Sequence, residues 1–182
     1  GVSGAAEHGR HLAGHDSHPW IGRSAHRTVG TTRSSNAAAG QYHVMLRVAS
    51  VGSGSKGNAT LVASEETTLL IDCGFPAREM LSRLDQINAD IADIDAILVT
   101  HEHSDHVGGV AAVSRAAGAP IYATHGTLTS GKLEGARTIV EIESDSEFAI
   151  GDIEVSAITV PHDAKEPVQY VFKHTARRIG VL

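Results

Sequence analysis

A short apolar stretch, Ala96-Ile97-Leu98-Val99, runs through Thr100 into His101-Glu102-His103-Ser104-Asp105-His106. Three imidazoles and two carboxylates in six residues constrain this chain more than any other feature. In extended backbone, residues i and i+2 point to the same side, so His101 and His103 can aim at one point. Asp105 and His106 fall where the chain turns toward a helix and can reach a second point close by. Imidazole nitrogen and carboxylate oxygen bind zinc at roughly 2.0–2.2 Å. Four such groups at a strand-to-helix turn suit a pair of metals roughly 3.5–4 Å apart. The competing reading, a polar loop that happens to hold three histidines, leaves the spacing unexplained.

Further ligands must come from other segments, because a zinc site draws on several. His162 follows the alternating run 153–160 and Pro161, at a strand end that can present a side chain to a cleft. Asp72 ends the apolar run 68–71. It is either a turn or helix cap or a carboxylate that orients a metal-binding histidine, and the second reading is favoured. Cys73, the sole cysteine, is expected to pack behind the site rather than act as a nucleophile. His125 is expected in a surface turn. The loop 52–58, which holds Lys56, is either a hairpin turn or a cradle of backbone N–H groups for a phosphate.

Strands are expected at 46–51, 59–63, 68–72, 96–100, 120–123, 138–142, 147–150, 153–160, 168–173 and 178–182. Helices are expected from Pro76 to about residue 84, with Met80, Leu81 and Leu84 on one face, and over 106–117 and 127–133. Strands first, then strand–helix alternation, then strands again fit a mixed, layered α/β fold better than a doubly wound one. The final strand, ending at Leu182, reads as buried, which leads us to expect a piece of a longer protein. Residues 1–44 read differently. They are rich in Gly, Ala, Ser and Arg and hold six of the twelve histidines: His8, His11, His15, His18, His26 and His43. No periodic pattern runs through them, so a disordered or non-native tail is expected, with a loose metal-chelating tail as the alternative. Residues 45–182 form the one expected domain.

The formal net charge of -6 argues against a protein that coats nucleic acid, yet leaves room for a nuclease whose metals supply local positive charge. One cysteine allows no internal disulfide, and no apolar run is long enough to span a bilayer. A cytoplasmic protein without a membrane partner is the expectation.

From about residue 45 onward the chain resembles the metallo-β-lactamase superfamily. The pattern His-x-His-x-Asp-His is met by His101, His103, Asp105 and His106, an upstream motif by Leu70-Ile71-Asp72-Cys73-Gly74, and a later single histidine by His162. Within the superfamily the chain is most similar to the YycJ/WalJ group. That similarity lies in Ser53-Gly54-Ser55-Lys56-Gly57-Asn58-Ala59, in Thr100 through His106, and in Pro161-His162-Asp163-Ala164-Lys165-Glu166-Pro167-Val168-Gln169-Tyr170. The resemblance implies an αββα sandwich, incomplete at the C-terminus, with two zinc ions in a complete protein and manganese as an alternative. It assigns His101, His103 and His162 to the first ion and Asp105 and His106 to the second. It makes Asp105 catalytic, both binding metal and helping to position the nucleophile. A bridging aspartate and a final histidine are also implied, and both are expected past Leu182.

Three functions follow as expectations. The first is a metal-dependent phosphodiesterase, a 5′-to-3′ exonuclease on double-stranded DNA that uses metal-activated water. The second is a hydrolase of a small ester, thioester or lactam, which the negative charge mildly favours. The third is a metal-binding fragment without catalysis.

Overall fold

The computed structural model describes residues 46–181. The expectations for residues 1–44 and their histidines lie outside the described residues.

Two sheets face each other. The first has six strands in simple sequence order: β1 (Arg47–Gly52), β2 (Ala59–Ala63), β3 (Thr68–Ile71), β4 (Ala96–Leu98), β5 (Ile121–Thr124) and β6 (Ile139–Ile142). Its first three strands pair antiparallel and β3 through β6 run parallel. The second is an antiparallel sheet in the order β10 (Arg177–Val181), β9 (Val168–His174), β8 (Ile153–Thr159), β7 (Glu147–Ile150). Four α-helices, α1 (Ala77–Gln86), α2 (Ser104–Val107), α3 (Val110–Ala117) and α4 (His125–Leu128), and a 3-10 turn over Ile91–Asp93 complete the described part.

Side-chain alternation explains the layering. In the first sheet Leu61, Leu70, Ile97 and Ile121 face the helices and join Met80, Leu84, Val110 and Val113 in one core. Val62, Leu69, Ile71 and Leu98 face the other way and meet Val155, Ala157, Tyr170 and Phe172 of the second sheet. Strands covered on both faces read as unbroken apolar runs, as β3 and β4 do. Tyr170 is fully buried between the sheets, and its hydroxyl donates to the Val99 carbonyl at 2.8 Å. Helix, sheet and sheet give three of the four expected layers among the described residues. No described helix is long and apolar enough to cross a membrane.

Several expectations are corrected. The helix expected over 106–117 is two helices, with Gly108 and Gly109 between them, and the first begins earlier, at Ser104. The Gly109 amide donates to the Cys73 carbonyl at 2.7 Å, so the chain is pinned to the strand β3 exit at the break. Leu81 is 46% exposed and leaves Met80 and Leu84 to form the buried face of α1. The helix expected over 127–133 is the single turn α4, which starts at His125 and gives way to turns. Among the described residues the last strand is not buried: β10 pairs with β9 at the edge of the described sheet, and Arg177, Arg178 and Gly180 are exposed.

Candidate metal centre

The site forms where the strands β3 and β4 of the first sheet end and the connection between β8 and β9 crosses above them. A cleft of about 790 Å³ opens there, bordered by Asp72, Thr100, His101, His106 and His162. One nitrogen each from His101, His103 and His162 lies within 4.8 Å of the others. The ring centroids are 4.7 Å apart for His101 and His103, 4.6 Å for His101 and His162, and 5.0 Å for His103 and His162. The i, i+2 spacing brings the first two together, and the loop 160–167 delivers the third from 59 residues on (162 against 103). His101 is buried, His103 half-buried and His162 exposed, so the cluster is open on one side.

Asp105 and His106 are not in this trio. They sit beside it on the short helix α2, with His106 Nε2 3.6 Å from Asp105 Oδ2 and the His106 ring 4.1 Å from that of His101. Backbone contacts hold them. The Asn58 amide donates to the Asp105 carbonyl at 2.7 Å, and the Cys73 amide to the His106 carbonyl at 2.7 Å. Gly74 must lack a side chain, because a Cβ there would run into the Asp105 carbonyl.

Asp72 lies behind both groups, 4% exposed and with φ of 57°. It caps no helix. Its Oδ1 accepts from the Thr100 amide at 2.8 Å, and its Oδ2 accepts from the Thr100 hydroxyl at 2.7 Å and from His106 Nδ1 at 2.7 Å. A carboxylate only accepts, so the His106 proton is on Nδ1. The Thr100 hydroxyl spends its one proton on Asp72. It therefore accepts from His101 Nδ1, 2.9 Å away. Asp163 Oδ1, 3.2 Å from His162 Nδ1, favours the proton there as well. The Nε2 atoms of His101 and His162 face each other at 3.2 Å, that of His101 as a bare acceptor. Imidazole nitrogens converging on one spot fit a shared cation.

Burial pushes His101 down to about 4, helped by the neighbouring His106, so the ring is neutral at pH 7. For His106 burial pulls downward, but the hydrogen bond and charge of Asp72, with Asp105, outweigh it and leave its pKa raised. Burial likewise pushes the Cys73 thiol up to about 11, and its Sγ donates to the Phe75 carbonyl at 3.4 Å. Cys73 is packed behind the site and protonated.

Thr100 and Asn58 carry functions that sequence reasoning did not assign. Asn58 Nδ2 donates to Asp105 Oδ2 at 3.1 Å and lies 3.2 Å from His106 Nε2, while its Oδ1 accepts from the Gly54 amide at 3.0 Å. The loop 52–58 closes the hairpin between β1 and β2, and Ser53 and Asn58 border the cleft. Threonine directly before the first histidine and asparagine at the end of the loop were the available signals. His125 is exposed, pairs with Glu141 at 3.0 Å and does not line the cleft, as expected of a surface position.

Residues 52–174 match the metallo-β-lactamase superfamily, and the chain belongs to it: the fold is that of a family of metallo-hydrolases, and the histidine cluster suits a divalent cation such as zinc. Among its relatives, the chain is 34% identical over 145 residues to the exodeoxyribonuclease YycJ of Bacillus anthracis, an alignment covering 75% of this chain and 53% of that protein. It is 34% identical over 130 residues to the exodeoxyribonuclease WalJ of Streptococcus pneumoniae serotype 2, covering 67% and 48%. The chain thus spans about half the length of the curated relatives it matches. Of solved structures, the Rm3 metallo-β-lactamase superposes with a TM-score of 0.62 at 21% identity, over 73% of this chain and 56% of that one, a likeness of fold.

Proposed function

We propose that this protein is a zinc- or manganese-dependent phosphodiesterase that degrades DNA exonucleolytically from the 5′ end. The observation that supports the metal site is the meeting of the His101 and His162 Nε2 atoms at 3.2 Å, with His103 alongside. The substrate class rests on the 34% identity to two exodeoxyribonucleases.

In this reading His101, His103 and His162 hold one cation, and Asp105 and His106 contribute to a second. A bound divalent cation would supply Lewis acidity, which lowers the pKa of bound water to roughly 7 and offsets charge developing on a phosphate. The chain's own residues do the rest. Asp72 keeps His106 directly, and His101 through Thr100, in the tautomer that leaves Nε2 free. Asp105, held by Asn58 beside His106, would help to position the attacking water. The negative net charge supports a second reading, hydrolysis of a small neutral ester, thioester or lactam on the same site. Duplex DNA labelled at the 5′ end, incubated with the protein and Mn²⁺ or Zn²⁺, separates the two. Release of labelled mononucleotide is expected. Intact DNA under every metal, alongside turnover of small esters or lactams, would overturn the nuclease reading.

A further inference from the structure

Glu102 stands between His101 and His103 and has no role in the site as described so far. It is joined to the loop that carries His162. Its Oε1 accepts from the backbone amide of Lys165 at 3.0 Å. Its own carbonyl accepts from Lys132 Nζ at 2.8 Å. Lys165 Nζ in turn reaches the Thr129 carbonyl and hydroxyl, each at 3.3 Å. These contacts close a ring through three segments: the histidine run, the turn after α4 and the loop 160–167.

That loop needs such support. It holds no helix or strand. Its base is fixed by the Val160 amide on the Pro167 carbonyl at 3.2 Å and the Val168 amide on the Thr100 carbonyl at 3.0 Å. Its far limb is held by the Thr124 hydroxyl on the Glu166 carbonyl at 2.8 Å, by the Lys165 contacts to Thr129, and by two acidic side chains. Glu166 accepts from the Gly126 amide at 2.7 Å and from Ser144 Oγ at 3.0 Å. Glu102 is the other. The contacts of Glu166 fasten the loop to α4 and the segment before β7, whereas that of Glu102 fastens it to the run bearing the other two histidines.

We propose that Glu102 is a positioning residue that sets His162 against His101 and His103 by gripping the Lys165 amide. This rests on the reading of those three histidines as ligands of one cation. A carboxylate accepting from a backbone N–H makes a strong, directional bond. Losing it removes the loop's side-chain tie to the histidine run, so that His162 is set less firmly against His101 and His103.

The test is binding of Co²⁺ to the metal-free protein, followed by titration and by the visible absorption of the bound ion. Glu102→Ala is expected to weaken binding about 10–100-fold, the range typical when a partner outside the ligands is removed, and to shift the spectrum toward that of His162→Ala. Glu102→Gln keeps an acceptor oxygen at the same reach and is expected to restore affinity to within about fivefold of wild type. Glu102→Asp withdraws the acceptor by one methylene while keeping the charge and is expected to resemble the alanine variant, so a failure of Glu102→Ala to fold leaves the question answerable. The variant lacking both Glu102 and His162 is expected to bind no worse than His162→Ala alone, because the two act as one unit. Wild-type affinity in both Glu102→Ala and Glu102→Asp, or losses that simply add in the double variant, would overturn the proposal. No Co²⁺ binding by wild type would instead remove the metal-site reading beneath it.

Discussion

Asp72 shows how much one side chain can decide. All three of its hydrogen bonds are accepted, from the Thr100 amide, the Thr100 hydroxyl and His106 Nδ1. Asparagine has the same shape but turns one acceptor oxygen into an NH₂ group, and either orientation sets a donor against a donor. Asp72→Asn is therefore expected to weaken cation binding about 10–100-fold even though the volume is unchanged. Zinc titration against a competing chelator reads this directly, and affinity equal to wild type would show that the tautomers are set elsewhere. An aspartate closing an apolar strand drew attention to Asp72 in the sequence, and the structure sets it 2.7 Å from His106 Nδ1. The hydroxyl of Thr100 as intermediary was not legible there. Thr100 acts on a partner 28 residues away, and Asn58 on partners 47 and 48 residues away, distances across which no local pattern speaks.

At the level of elements, the strands were the readable part. Alternating or unbroken apolar runs placed β2 and β7 at their observed bounds and the rest within a residue or two. The break between α2 and α3 escaped because Val107, Val110 and Val113 keep a helical spacing across it. What interrupts the helix is tertiary: a Cβ at Gly109 would run into the Phe75 carbonyl, and its amide is claimed by Cys73. The sheets are also tied at a polar node. Asp152, in the turn between β7 and β8, accepts from Ser64 Oγ at 2.7 Å and Thr67 Oγ1 at 2.6 Å and lies 3.0 Å from His174 Nε2. Burial alone would raise its pKa, but the Thr67 and Ser64 hydroxyls, its own backbone amide and the His174 charge hold it below the ordinary 3.8. A depressed folded pKa means the stability it provides is whole above the unfolded value and is lost as pH falls through the folded one. Asp152→Asn is expected to cost about 1–3 kcal/mol at pH 7. That gap should narrow once pH drops below 3.8. Thermal unfolding against pH measures it, and a gap constant down to the acid limit would contradict the account.

For the molecule as a whole, the layered sandwich gives the site its position. Strand ends from one sheet and a loop from the other meet over a cleft, so histidines far apart in sequence converge there. The repeat of strands, then strand–helix units, then strands made the layered class legible, and the His-x-His-x-Asp-His run located the cleft. The division into a trio with a pair beside it was implied by the resemblance and not by spacing, because His162 lies 59 residues beyond His103, in the loop between two strands of the second sheet. X-ray absorption at the zinc edge, on the protein loaded with one equivalent of Zn²⁺, tests the convergence most directly. Three imidazole nitrogens at roughly 2.0–2.1 Å are predicted, falling to two in His162→Ala. A spectrum with fewer than three imidazoles in wild type, or one unchanged by loss of His162, would contradict it.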